Sequence, residues 1–230
     1  MLENCSVLDA LSTSERHNLL ARGVTRSLSR GEALFFAGEN TGRVHVVTDG
    51  VMKLTACDAS GNESILGLAV AGDLVGEIGA IDGEGQPVDA LAVTRCEAIG
   101  FDADAFLSAA VSSSKAALAL LETLAGRNRW MCTTAFERTT SHVPARLAGR
   151  LLDLAETLGR TNGSTIELEL PVAQADLGRL AGMCRESACK TMQRFKRGGV
   201  VDYRGRHLRI LRPEVLEKIR CAGRASRPSP

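Results

Sequence analysis

The chain has 230 residues, a formal net charge of +1 and 24% charged residues. That length suits one large or two small domains with a real core, and the near-neutral charge excludes a global basic field for nucleic acid, so charge has to be read locally. There is no run of about 18 apolar residues, and charged groups recur from the start of the chain; this predicts a cytoplasmic protein with no membrane span and no secretory signal.

The chain contains seven Cys: Cys5, Cys57, Cys96, Cys132, Cys184, Cys189 and Cys221. Their number is odd, their spacing scattered and no CxxC occurs, which argues against a disulfide framework and a zinc site and predicts reduced thiols. No metal site and no cofactor are predicted. Nor does any nucleophile–base pair or phosphate-loop Lys suggest an enzyme.

Residues 1–24 read as polar-faced helix. From about 25 to 101 short β-rich runs alternate with Gly, Asp and Asn turns, the pattern of a sandwich, barrel or jelly roll. "DASGNE" (58–63) predicts a hairpin. Inside this region "GEIGAIDGEGQPVDA" (76–90) has the texture of an anion loop. Gly76, Gly79, Gly83 and Gly85 leave amides free to face an anion, yet the loop has no Lys or Arg and carries Glu77, Asp82, Glu84 and Asp89.

Residues 102–141 read as helix, with Asp102 or Asp104 as N-cap. Ala117, Leu121, Leu124, Asn128, Met131, Ala135 and Arg138 recur at alternating steps of four and three, a heptad seam with Asn128 as its polar member. Such a seam predicts a dimer helix with Asn128 fixing register, rather than a helix packed only on its own domain. "ARLAGRLLDLAETLG" (145–159) is an amphipathic helix ended by Gly159, "TNGS" a turn and "TIELELP" a strand.

"VAQADLGRLAGMCRESACKTMQRFKRGGVV" (172–201) predicts a helix-turn-helix. Leu177, Leu180 and Ala181 face inward from the first helix, and Ala188, Met192 and Phe195 from the second, with Gly182 at the turn. The N-terminal residues of the second helix would face base edges in the major groove. Arg185 can donate bidentately to guanine, Glu186 can accept from cytosine and Lys190 shares their face. Gln174, Ser187, Gln193, Arg194, Lys196 and Arg197 are placed to contact phosphates, as is Arg204 or Arg206 in the hairpin "GVVDYRGRHLRIL" that follows. The small, basic, Pro-rich end predicts a disordered tail.

"CRESACKTMQRF", "GDLVGEIGAI" and "VPARLAGRLLDLAETLG" together resemble the recognition helix, phosphate cassette and DNA-binding-domain opening of the cyclic-AMP receptor protein and fumarate-nitrate regulator superfamily. The resemblance runs from about residue 5 to 215. It implies an α+β chain with a jelly-roll sensor domain (1–114), a dimerisation helix (115–141), a winged helix-turn-helix (142–217) and a disordered tail (218–230). It also implies a homodimer on double-stranded palindromic DNA with GTGA-like half-sites, base-read by Arg185, Glu186 and Lys190, and RNA polymerase as partner if the protein activates.

The departures lie in the sensor. Where cyclic-AMP-binding members carry an Arg followed by Ser or Thr, this chain has Gln86 and Pro87; Met131 and Cys132 stand at the adenine-contacting pair. Gln86 cannot neutralise an anion, and Pro87 offers neither hydroxyl nor amide hydrogen. Glu77 remains at the ribose position, with Gly76 before it; the alternative to ribose contact is a bond to the loop's own amides. The pocket is thus degenerate for cyclic AMP. The alternatives are a regulator that still binds a cyclic nucleotide through Glu77, Gln86 and loop amides, and one that binds DNA with no effector. An interaction module is a further reading, against which the base-reading trio argues. An iron–sulfur sensor would need more N-terminal Cys than Cys5, and His17, His45, His142 and His207 are too scattered for haem. Cys184 occupies the family's capping Ser position, where a thiol caps poorly and the helix N-terminus beside Arg185 lowers its pKa; a redox switch there is the alternative to an inert thiol.

Overall fold

The computed structural model describes residues 5–223, apart from the side chains of residues 174 and 175. The chain forms two compact units, Met1–Arg129 and Trp130–Pro230.

The first unit begins with α1 (Ser6–Asp9) and α2 (Thr13–Ala21). Ser12 caps α2 reciprocally with Glu15. The strands follow: β1 (Val24–Leu28), β2 (Ala33–Phe35), β3 (Arg43–Asp49), β4 (Val51–Cys57), β5 (Glu63–Val70) and β6 (Leu74–Val75). After α3 (Glu77–Asp82) come β7 (Asp89–Ala92) and β8 (Cys96–Asp102). They form two antiparallel sheets, ordered β1-β8-β3-β6 and β2-β7-β4-β5. Leu34, Phe35, Val47, Met52, Ala69, Val75, Ala90 and Ala98 form one buried cluster drawn from both sheets. Because side chains alternate along a strand, Val44 and Val46 of β3 turn the other way. They join a second cluster with Phe101 of β8 and with Leu8, Leu19, Phe106, Ala116 and Leu120 from the flanking helices. The expected hairpin at 58–63 is the β4–β5 turn.

The helix expected over 102–141 is two: α4 (Ala103–Ser112) and α5 (Ser114–Thr140). Asp102 is the N-cap of α4, accepting from the amide of Ala105 at 3.0 Å. Along α5, Ala116, Ala119 and Leu120 are buried. The opposite face is apolar but exposed: Leu118, Leu121, Ala125, Met131, Cys132, Ala135 and Phe136, with Asn128 among them. This shifts part of the expected seam. Leu121, Asn128, Met131 and Ala135 lie on the exposed face, whereas Leu124 is half-buried and packs against the unit's own core. Ala117 and Arg138 are also half-buried.

The second unit continues with α6 (Val143–Leu158), β9 (Arg160–Asn162), β10 (Thr165–Glu169), α7 (Gln174–Leu180), α8 (Arg185–Arg197), β11 (Val201–Arg204), β12 (His207–Ile210) and α9 (Pro213–Ala222). The strands form one antiparallel sheet ordered β11-β12-β10-β9. Leu147, Leu151, Leu177, Ala188, Met192, Leu208 and Leu216 are buried. Arg150, 2% exposed, is matched by Glu137 at 2.8 Å and Asp153 at 3.0 Å, and lies 5.1 Å from the Trp130 ring centroid. The tail expected from 218 is instead helical as far as Ala222, since α9 buries Leu216; residues 224–230 lie outside those described.

Candidate nucleic-acid interface and sensor cradle

Two short helices need a tight turn to meet at a steep angle. Gly182 supplies it at φ +63°, and a Cβ there would lie 2.9 Å from Arg138 Nε. The turn is tied down by Arg146, which donates to the carbonyls of Ala181 at 3.1 Å, Gly182 at 3.3 Å and Ser141 at 3.0 Å. Ala173 and Asp176 close the start of α7, with the Ala173 amide donating to the Asp176 carboxylate at 3.3 Å.

Ala188, Thr191, Met192 and Phe195 hold α8 to the core. Its other side presents Arg185, Glu186, Lys190, Gln193 and Arg197, all exposed. Glu186 and Lys190 pair with each other at 2.6 Å, both side chains 74% exposed. An exposed i,i+4 pair stabilises by only about 0.3–0.5 kcal/mol, so both side chains are readily released from it.

The expected phosphate contacts divide. Gln193, Arg194 and Arg204 are exposed. Arg206 is half-buried, donating to the Pro171 carbonyl at 3.4 Å. The Ser187 hydroxyl lies 3.2 Å from Cys184 Sγ. The side chain of Gln174 lies outside those described. Lys196 turns towards the β11–β12 hairpin. Cys184 is the N-cap of α8 and its thiol makes no capping bond. Its pKa is lowered, chiefly by the hydrogen bond with the Ser187 hydroxyl.

In the first unit the glycine loop is not all loop: Glu77–Asp82 is α3. Glu77, 3% exposed, meets neither open space nor the loop's amides; it is ion-paired with Arg127 of α5, which also donates to the Leu74 carbonyl. Arg127 thus has a site role that the sequence reading did not assign; the available signal was a carboxylate bound for burial and a cation on the non-seam side of α5. Gln86, 4% exposed, donates its side-chain amide to the Gly76 carbonyl at 3.0 Å. Its main chain pairs with Glu39 O at 2.9 Å and Gly38 N at 2.8 Å. Gly79 must be Gly because a Cβ would lie 2.7 Å from Gln86 Nε2 and 2.8 Å from Glu84 O. The Gly83 amide donates to Gly79 O and the Glu84 amide to Asp82, while Asp89 accepts from the Ala37 amide at 2.7 Å. Pro87 is exposed. Met131 and Cys132 belong to the second unit.

A β sandwich with a glycine cassette, together with a helix-turn-helix bearing a sheet hairpin, defines a sensor-type DNA-binding regulator. The family model of the cyclic nucleotide-binding domain matches residues 25–113, and that of the Crp-like helix-turn-helix domain matches residues 145–219. The chain belongs to the CRP/FNR family of DNA-binding transcription regulators. It is 26% identical over 189 residues to the CRP-like cAMP-activated global transcriptional regulator of Mycobacterium tuberculosis, covering 82% of this chain and 84% of that one. It is 26% identical over 211 residues to the transcriptional activator protein FnrA of Stutzerimonas stutzeri, covering 90% of this chain and 82% of that one. The structure of FixK2 from Bradyrhizobium japonicum shares the fold with a TM-score of 0.77 at 18% identity, covering 86% of this chain and 96% of that one. Among the described residues no single helix is long and apolar enough to cross a membrane.

Proposed function

We propose that the protein is a homodimeric regulator that reads a palindrome of GTGA-like half-sites through Arg185, Glu186 and Lys190, and that its sensor cradle is closed to cyclic AMP. The observation that carries the DNA reading is α8 itself: a buried Ala188–Met192–Phe195 side and an exposed side carrying those three residues. Gln193, Arg194 and Arg204 supply phosphate contacts from exposed positions, joined by Gln174, Ser187 and Arg206 once DNA is present. The dimer forms along α5, where Leu121, Asn128, Met131 and Ala135 share an exposed face that is otherwise apolar. Two copies pairing there place two recognition helices about one helical turn apart. If the regulator activates, RNA polymerase is its further partner.

Closure of the cradle is supported by Gln86 donating to Gly76 and by Glu77 pairing with Arg127. A cyclic phosphate would have to displace the first bond, and a ribose the second, with no cation gained in the loop. Hydrogen bonds to charged groups contribute about 1.5–3 kcal/mol each, so the missing Arg and hydroxyl remove two or more decades of affinity.

Selection from a randomised duplex library tests the reading. The parent protein should return inverted GTGA-like half-sites, and Arg185→Ala should relax the guanine it faces. A core without G·C pairs at the Arg185 and Glu186 positions would overturn it.

A further inference from the structure

Lys196 Nζ stands where three groups of the hairpin converge. It donates to the Tyr203 carbonyl at 3.0 Å. It pairs with Asp202 Oδ1 at 2.7 Å. It lies 4.8 Å from the centroid of the Tyr203 ring. The same Asp202 oxygen accepts from the Tyr203 amide at 2.9 Å, so the carboxylate joins the lysine to the strand's own backbone. A second bracket comes from Arg212, whose guanidinium donates to the carbonyls of Gly199, at 2.9 Å, and Gly198, where α8 ends.

The hairpin needs such bracing. β11 and β12 are four residues each, and strands that short are marginal without packing. Their turn carries the exposed Arg204 beside Gly205, and Arg204 faces His207 across the ladder. An ammonium has three donors and no acceptor; here it engages an anion and a carbonyl beside an aromatic face, all on β11. A lysine reaching for a DNA phosphate would have to leave them.

We infer that Lys196 is a positioning residue. It fixes the wing against α8 so that Arg204 meets a backbone phosphate while α8 occupies the groove. This rests on the DNA-binding reading above. It makes Lys196 act through Arg204, whereas a lysine that contacts phosphate acts independently.

The test is a double-mutant cycle on the full chain. The probe is a fluorescent duplex with two inverted GTGA half-sites one helical turn apart, followed by anisotropy over a series of salt concentrations. Lys196→Met should weaken binding by roughly fivefold, the scale of an exposed charged contact repeated in two protomers. The same change should have no further effect in an Arg204→Ala background. The slope of log affinity against log salt should fall equally in both single variants and no further in the double. Lys196→Arg should retain affinity, because a guanidinium also donates to Tyr203 O and stacks on its ring. Asp202→Ala is the second arm, independent of any change at Lys196: it should weaken binding, again only when Arg204 is present. Losses that multiply in the double variant, or an affinity that rises in Asp202→Ala because the lysine has been released to phosphate, would overturn the inference. A parent that discriminates the palindrome from a scrambled duplex while the losses multiply sinks the inference alone. A parent that binds both alike sinks the DNA reading with it.

Discussion

Gln86 and Gly76 are joined by a single hydrogen bond, from the buried side-chain amide of one to the main-chain carbonyl of the other, 3.0 Å long. The bond ties the residue after the glycine turn back to its start. Gly79 lies so near that any Cβ would strike the same amide. The Gln86 side chain is thus buried and bonded within its own loop.

Removing that amide should therefore loosen the first unit. Gln86→Ala removes one of two donors to the buried Gly76 carbonyl, which keeps the Ala80 amide at 3.3 Å, at a cost of about 0.5–1.5 kcal/mol. Urea unfolding should show the loss as a lower midpoint with the slope unchanged. An unchanged midpoint would mean that the bond contributes nothing.

Arg127 and Glu77 should respond unequally to substitution. The side chain of Glu77 is 3% exposed and that of Arg127 is 29% exposed. Arg127→Met strands a buried carboxylate and should cost about 3–5 kcal/mol. Glu77→Gln leaves a cation that can turn to water and should cost less. Equal losses by calorimetry would contradict this asymmetry.

His45 gives the sensor unit a pH dependence. Burial, reinforced by Arg26 and Arg43, holds its imidazole at about 4, against 6.5 for a free histidine side chain. The unfolded chain therefore binds a proton that the folded chain refuses between those two values. Stability is fully present above pH 6.5 and falls as the pH drops towards 4, by about 3 kcal/mol from this group. His45→Leu should flatten that limb of the stability–pH curve; a limb of unchanged depth would assign it to other groups.

Cys184 places an exposed thiol at the N-terminus of α8. Its thiol is exposed, bonded to Ser187 and lowered in pKa. Peroxide should weaken DNA binding by the parent and spare Cys184→Ser, which should also be about 1 kcal/mol more stable because serine caps a helix well. Equal weakening of both proteins by oxidant would remove Cys184 from the account.

The helix-turn-helix was legible because its signals are local and strong: apolar positions at helical spacing, Gly182 at the turn and cations on the free side. The sandwich was legible from its short runs and turn residues. The α3 helix was not, because six residues between Gly76 and Gly83, both at positive φ, read as loop. The division of the expected seam between core and surface was not legible because α5 carries two apolar faces. Leu124 serves the core and Leu118 the free face, and spacing alone does not separate them. The partners of Gln86, Glu77 and Lys196 depend on carbonyls and side chains brought close only by the fold. Lys196 read as a phosphate contact because a cation on a recognition helix usually has that use. The end of α9 was masked by small residues, Cys221, Ala222 and Gly223, that gave no helical pattern.

The most direct test of the whole account is anisotropy of the palindromic GTGA duplex against a scrambled duplex, each with and without saturating cyclic AMP. The palindrome should be preferred by at least about a thousandfold, the low end for specific regulators, with the same affinity in the presence and absence of the nucleotide. Equal binding to both duplexes, or a tenfold tightening by cyclic AMP, would contradict it.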